Sequence, residues 1–358
     1  MIASNVLAPG LSWVDLNFLG RPHAIATALI DDAGTLALVD PGPSTCLDTL
    51  ELGLQAHGRR LSDVTHVLLT HIHLDHAGVT GTIVRRHPRI QVFVHERGAP
   101  HMIDPAKLMT SAARLYGDQM DRLWGQMEAV PPSNLVVLAG GERVTAGGRT
   151  FDVAYTPGHA SHHVSYFDRS SGVAFVGDTA GVCVDGGYVL PPTPPPDIDI
   201  EAWHDSAARI EAWSPDTLFL THFGPIQDAR SHLRTLMKNL ATTAGIVQKR
   251  LAEPGLEDEK GQRFADDLTR ELRSRMTDAQ VAAYLAAAPP ELLWLGLVRS
   301  CLSGCFNMPQ DIAFERGASA LSCEPARVSA SVRDRGGVPT VSGRLSLAGG
   351  VPLSAMRA

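Results

Sequence analysis

The stretch THIHLDHAG, residues 70–78, decides how the rest of the chain is read. It places His71, His73, Asp75 and His76 within six positions, directly after the apolar run Val67-Leu68-Leu69. A continuous apolar run that stops at polar residues reads as a buried β-strand, here over 65–70. Side chains of neighbouring residues converge where such a strand gives way to a tight loop. His71 and His73 are two apart and point the same way while the chain stays extended, and Asp75 and His76 follow as it turns. Imidazole nitrogen and carboxylate oxygen are the donors that catalytic zinc and related ions accept. A single histidine on a strand is usually just a packed or surface residue. Four ligand-type residues in six, closing an apolar strand, read as a metal site.

Upstream, IATALIDDAGTLALVD (25–40) shows two β-rich runs around an Asp-Asp-Ala-Gly turn, a hairpin that Asp40-Pro41-Gly42 ends. Residues 44–57 suit a helix capped by Ser44 or Thr45. Downstream, QVFVH (91–95) is a strand. Leu108, Ala112, Leu115, Met120, Leu123, Trp124 and Met127 then recur at helical spacing up to Pro131-Pro132. Strand patterns return at 135–138, 150–155, 163–168, 173–178 and 217–222, with a helix over 199–213. PPTPPP (191–196) reads as a stiff surface loop. After His222 the pattern is helical: Leu233, Leu236, Met237 and Leu240 share one face, and Phe264, Leu268, Leu272 and Met276 recur every fourth residue. From 301 onward periodicity dissolves into Gly, Ser, Ala and Arg, with Phe306 and Phe314 as the only aromatics, and a disordered extension over 301–358 is expected. The order of elements predicts a mixed α/β core of two sheets covered by helices.

The chain of 358 residues can bury a sizeable core in one large domain or two modest ones. Its net charge of −7 argues against a nucleic-acid partner, and no apolar run approaches a membrane span, so no membrane partner is expected either. The N-terminal residues lack the pattern of a signal peptide. Cys46, Cys183, Cys301, Cys305 and Cys323 are scattered, odd in number and form no CxxC pair, which favours free thiols in a reducing, cytoplasmic setting. Cys183 reads as a small buried apolar residue. Packing is the expected role of Met120, Trp124, Met127, Tyr116 and Tyr188.

HxHxDH, here His71 to His76, resembles the signature of the metallo-β-lactamase superfamily, and the other motifs of that family follow in order over residues 20–225. Asp40 in VDPG matches the first motif, His159 in TPGHASHH the third, Asp178 in VGDT the fourth and His222 in LTHFG the fifth. The resemblance implies a four-layer αββα sandwich over 1–225, with a helical insertion or cap at 100–133 and a C-terminal helical region at 226–300. It implies that His71, His73 and His159 bind one divalent ion, that Asp75, His76 and His222 bind a second, and that Asp178 bridges them. Zinc is the expected metal, with iron or manganese as alternatives. Relatives often read GHTPGH at the third motif. Here His163 stands for the second histidine and His162 replaces a glycine, and neither is expected to be a ligand.

In such sites two ions about 3.5–4 Å apart share a water and make it a hydroxide nucleophile near neutral pH, while polarising the substrate oxygen. The resemblance further gives Asp75 the catalytic task of orienting that nucleophile. An aspartate at position 178 argues against a β-lactamase, and His73 against a flavodiiron protein. RNA-processing relatives share the ligands but usually add a basic surface or a nuclease domain, and neither is visible here. The expected activity is hydrolysis of a small ester, thioester or lactone, as in glyoxalase-II-like and lactonase-like relatives. No thiol-cofactor residue of the former maps onto this chain. The main alternative is a persulfide dioxygenase with one iron on His71, His159 and Asp178; a phosphodiesterase or a non-catalytic regulatory protein ranks lower. A small-molecule substrate is the expected partner, and the oligomeric state stays open.

Overall fold

A computed structural model describes residues 5–302; the expected disordered extension, with Cys305, Cys323, Phe306 and Phe314, lies almost wholly outside the described residues. The chain opens with β1 (Val6–Ala8), β2 (Leu11–Asp15), β3 (Ala26–Asp32) and β4 (Thr35–Val39), then α1 (Leu47–Ala56), β5 (Val64–Leu68), α2 (Leu74–Ala77), α3 (Thr80–Arg86) and β6 (Gln91–His95). The insertion carries α4 (Ala99–Ile103), α5 (Ala106–Tyr116) and α6 (Met120–Leu123). β7 (Leu135–Leu138) completes a first sheet of order β1-β2-β3-β4-β5-β6-β7, antiparallel as far as β4 and parallel from there on.

A second sheet follows from β8 (Arg143–Ala146), β9 (Arg149–Tyr155), β10 (Val164–Asp168) and β11 (Val173–Phe175). After α7 (Ile200–Ala212) it gains β12 (Thr217–Leu220) and β13 (Gly224–Ile226), in the order β13-β12-β11-β10-β9-β8. The chain continues as α8 (Ala229–Ala252), α9 (Glu257–Arg273), α10 (Asp278–Ala287) and α11 (Pro290–Leu302).

Period-two alternation sorts the strand residues into layers. Ala26, Ala28 and Ile30 of β3, with Ala37 and Val39 of β4, face Phe151, Val153, Tyr166, Phe175 and Phe219 of the other sheet. Leu29, Leu36, Leu38, Val67, Val92 and Val94 point the opposite way, onto Leu50 and Leu54 of α1 and Ile83 and Val84 of α3. On the far side, Ala174, Leu218 and Leu220 meet Ala207 and Ile210 of α7 and Leu233 and Leu236 of α8. The architecture is therefore helix, sheet, sheet, helix, the expected four-layer sandwich. Burial on both faces explains why these strands read as continuous apolar runs.

The C-terminal helices share a core with the middle of the chain. Phe264, Leu268 and Leu272 of α9 and Leu293 and Leu297 of α11 pack with Val182, Tyr188, Leu190 and Trp203. Tyr188 and Met127 are buried packing residues, as expected. Residues 191–196 correct the sequence reading, because Pro191, Pro192 and Thr193 are buried. Thr193 Oγ1 donates to the Leu293 carbonyl at 3.3 Å. Proline offers no N–H to satisfy, so a proline-rich segment can be covered by a helix at little polar cost.

Candidate metal centre

β4 and β5 are parallel, and β9, β11 and β12 share one direction through the pairings β9–β10, β10–β11 and β11–β12. Each of these five strands releases a chemistry-bearing residue just beyond its C-terminal end, where open α/β sheets place their crevices. Asp40 follows β4, His71 and His73 follow β5 with Asp75 and His76 on α2, and His159 follows β9. Asp178 lies in a single 3-10 turn after β11, and His222 follows β12.

The structure brings all seven expected ligand side chains together. His71 Nε2 and His159 Nε2 each lie 3.0 Å from His73 Nδ1. His76 Nε2 is 3.8 Å from Asp75 Oδ2, and His222 Nε2 is 3.2 Å from the same oxygen. Asp178 stands between the two sets: Oδ2 is 3.3 Å from His159 Nε2, and Oδ1 is 3.3 Å from His76 Nε2 and 3.5 Å from His222 Nε2. Within each of the groups His71–His73–His159, His71–His76–Asp178 and Asp75–His76–His222, the donor atoms lie within 4.8 Å of one another.

The outer atoms of these rings are fixed from behind. His159 Nδ1 donates to the Pro192 carbonyl at 2.9 Å, and His222 Nδ1 to the Ala24 carbonyl at 2.7 Å. His76 Nδ1 donates to Asp40 Oδ2 at 2.8 Å. Asp40 also accepts from Thr70 N at 2.8 Å, Thr70 Oγ1 at 2.7 Å and Thr221 Oγ1 at 2.8 Å. Because Thr70 Oγ1 spends its proton on Asp40, it is left to accept from His71 Nδ1 at 3.1 Å. Asp40 holds φ near 50°, a region costly for a residue with a Cβ, and the four converging donors keep it there. With Nδ1 of His71, His76, His159 and His222 engaged, Nε2 is the nitrogen of each ring that faces inward.

Charge is distributed unevenly across the cluster. Burial, then neighbouring histidines, holds His71 well below the ordinary histidine value; burial and His159 bring His73 to about 4, and burial lowers His159. These three are neutral near pH 7, the form that a cation needs. At His76 burial opposes the charge, but Asp178, Asp75 and Asp40 outweigh it and hold the pKa well above the ordinary value. His222 is raised in the same way by Asp178 and Asp75 against burial. Burial works against ionised Asp75 too, yet His76 and His222 bring it down to about 2.

His76 Nε2 and Asp178 Oδ1 are buried and, among the described residues, hydrogen-bonded to nothing. Buried polar atoms are seldom left so, and a cation is the partner that both would accept. The donor set therefore fits divalent ions, with His71, His73, His159, Asp75, His76, His222 and Asp178 as the residues to hold them.

His163 and His162 lie beside the cluster. The ring of His163 stacks on that of His71 with centroids 5.0 Å apart, and its Nδ1 meets Thr156 Oγ1 at 3.0 Å and Thr179 Oγ1 at 3.1 Å. His162 stacks on His71 at 6.0 Å. Both brace the ligand rings from behind. Sequence reasoning missed the carbonyls of Ala24 and Pro192, because a backbone acceptor leaves no mark in residue type. It also missed the role of Thr70 and Thr221, which the position of each beside a motif histidine could have suggested.

A cavity of about 500 Å³ opens onto His73, Asp75, His159, Asp178 and His222. Leu115, Tyr116 and Trp124 of the insertion line it, as do Ala283 and Ala287 of α10 and Leu292 and Leu293 of α11. Trp124 stacks on Phe18 at 5.5 Å and 12°, and Tyr116 meets Trp124 edge-on at 5.2 Å. Trp124 and Tyr116 therefore face the cavity as well as packing. Cys183 is buried, which raises its thiol pKa. No single helix among the described residues is long and apolar enough to cross a membrane.

Known proteins resemble the chain in sequence and in fold. A metallo-beta-lactamase fold-containing protein of Sulfurisphaera tokodaii is 28% identical over 182 residues, covering 49% of this chain and 68% of its own length. A hydroxyacylglutathione hydrolase of a Synechococcus strain is 33% identical over 156 residues, covering 42% of this chain; the chain spans about half of that hydrolase (47%). Among solved structures, a metallo-beta-lactamase family protein of Thermus thermophilus superposes with a TM-score of 0.62 at 23% identity, over 84% of this chain and 95% of that one. The sequence profile of the metallo-beta-lactamase superfamily matches residues 20–222, more than half of the chain, and by that match the chain belongs to the metallo-beta-lactamase superfamily.

Proposed function

We propose that the chain is a hydrolase of a small ester, thioester or lactone, and that its site holds two divalent ions. His71, His73 and His159 serve one ion, Asp75, His76 and His222 the other, and Asp178 both. The observation that carries this reading is the division of the Asp178 carboxylate, one oxygen 3.3 Å from His159 and the other 3.3 Å from His76. Relatives named hydroxyacylglutathione hydrolases support hydrolysis of an acyl compound.

Ions bound there supply an activated water and polarise the scissile carbonyl. The residues of the chain do the rest. Asp40 and the carbonyls of Pro192 and Ala24 fix the rings of His76, His159 and His222 before substrate arrives, so little reorganisation remains during the reaction. The two site carboxylates divide their tasks by exposure. The Asp178 side chain is 5% exposed, so its role is confined to the ions. That of Asp75 is 23% exposed and lines the cavity, so its carboxylate can accept a hydrogen bond from the attacking water and orient it. The aromatic lining of Trp124 and Tyr116 limits access of bulk water.

Metal analysis of the purified protein, paired with a panel of esters, thioesters, lactones and phosphodiesters, tests the reading. Two zinc or manganese ions per chain are expected, with hydrolysis lost on chelation and restored by either metal. One iron per chain, oxygen consumption with a persulfide and no hydrolysis would overturn it in favour of the dioxygenase alternative.

A further inference from the structure

The cavity has an uneven lining. Outside the ligand set, the polar groups that line it are Arg21, His23, Ser111, Gln119, Arg122, Tyr116 and the indole N–H of Trp124. All but Tyr116 and Trp124 are exposed, and Trp124 Nε1 is buried without a partner among the described residues. The inner walls are apolar and come from elements far apart in sequence: Phe18 before β3, Leu115 and Trp124 in the insertion, Val184 after β11, and Leu292 and Leu293 on α11. These walls are held in place before any ligand enters. Trp124 is clamped between Phe18 and Tyr116, and α11 lies so close to the proline segment that a Cβ on Gly296 would stand 2.0 Å from the Thr193 carbonyl oxygen. Apart from the single Trp124 N–H, these walls offer a polar arm such as a peptide little to replace the hydrogen bonds to water that it would lose.

Taking the hydrolase reading as its basis, we propose that the substrate carries a flexible, uncharged apolar arm, such as a straight alkyl chain of several carbons, and that this arm fills the cavity between α5 and α11 while the scissile carbonyl faces the Asp75–Asp178 cluster. The chain thus differs in substrate from relatives named for a glutathione compound. Chain length is then read by the distance from the cluster to Leu292 and Leu293, and Leu115 sets the width.

Rates with a series of straight-chain acyl and alkyl esters and thioesters, from acetyl to decanoyl, test the proposal. Each methylene that enters the walls should raise kcat/KM about two- to fourfold, so at least one series should climb roughly tenfold or more before levelling off where the cavity ends. Leu115→Trp and Leu292→Trp, on separate elements, should each lower the long-to-short ratio of kcat/KM by about tenfold. A series flat to within about twofold over its whole length, with hydrolysis intact, overturns the apolar arm and leaves the hydrolase reading standing. Should no member be hydrolysed, nor any lactone of the panel, the hydrolase reading fails, and calorimetric binding of straight-chain carboxylates to the metal-loaded wild type decides the cavity. Affinity that rises with chain length supports an apolar arm, and length-independent affinity overturns it. The same binding series decides the matter if both variants misfold.

Discussion

Asp75 and Asp178 belong to one cluster, yet their surroundings make them different tools. Asp178 is walled in by His76, His159 and His222, whereas Asp75 keeps one side open to the cavity. Asp178→Ala should remove at least one ion per chain in metal analysis and lower kcat/KM by at least about 100-fold, since losing even an outer partner of a ligand costs 10–100-fold. Two ions and full activity in the Asp178→Ala variant would refute the proposed bridge. Asp40 touches no substrate, and its task is to satisfy four donors at once. Asp40→Ala strands the Nδ1 of His76 and the hydroxyls of Thr70 and Thr221 in a dry interior, at about 1–3 kcal/mol each. Denaturant midpoints should show a loss on the order of 3 kcal/mol or more, together with weaker metal retention.

At the scale of elements, the insertion and α11 line one chamber together. Trp124→Ala removes the ring that stacks on Phe18 over the cavity, without touching any ligand residue. KM should rise roughly tenfold while metal content stays constant, the signature of lost apolar contact rather than a damaged centre. Gly296→Ala puts a methyl against backbone that cannot step aside, so α11 must back away from Thr193. Thermal unfolding should show a loss of about 1–3 kcal/mol. These elements also mark where the sequence was legible. The inner strands from β3 onward and the ligand histidines could be read because burial and metal chemistry both dictate side-chain type. Strands β1, β2, β8 and β13 went unread: β13 is Gly224-Pro225-Ile226, an edge strand that tolerates proline and shows no alternation. Residues 191–196 were misread as a surface loop, because composition cannot say that α11 will lie over them.

The whole molecule is joined by contacts of very long sequence separation. Thr221 reaches Asp40 across 181 residues, and His222 reaches the Ala24 carbonyl across 198. Such pairs close long loops whose entropy cost other contacts help to offset, so they are expected to form late in folding. In stopped-flow refolding with a metal-sensitive dye, uptake of the ions should therefore coincide with the slowest folding phase. Uptake in the earliest phase would contradict this order. The two sheets, and not the HxHxDH segment, then decide when the site exists. A growing polypeptide that has emerged only as far as α7 already carries His71, His73, Asp75, His76, His159 and Asp178, but not the residue that seats itself on Ala24 and faces Asp75. The seven side chains can therefore meet only after β12 has been made, so that the order of the chain places completion of the cluster late in its synthesis.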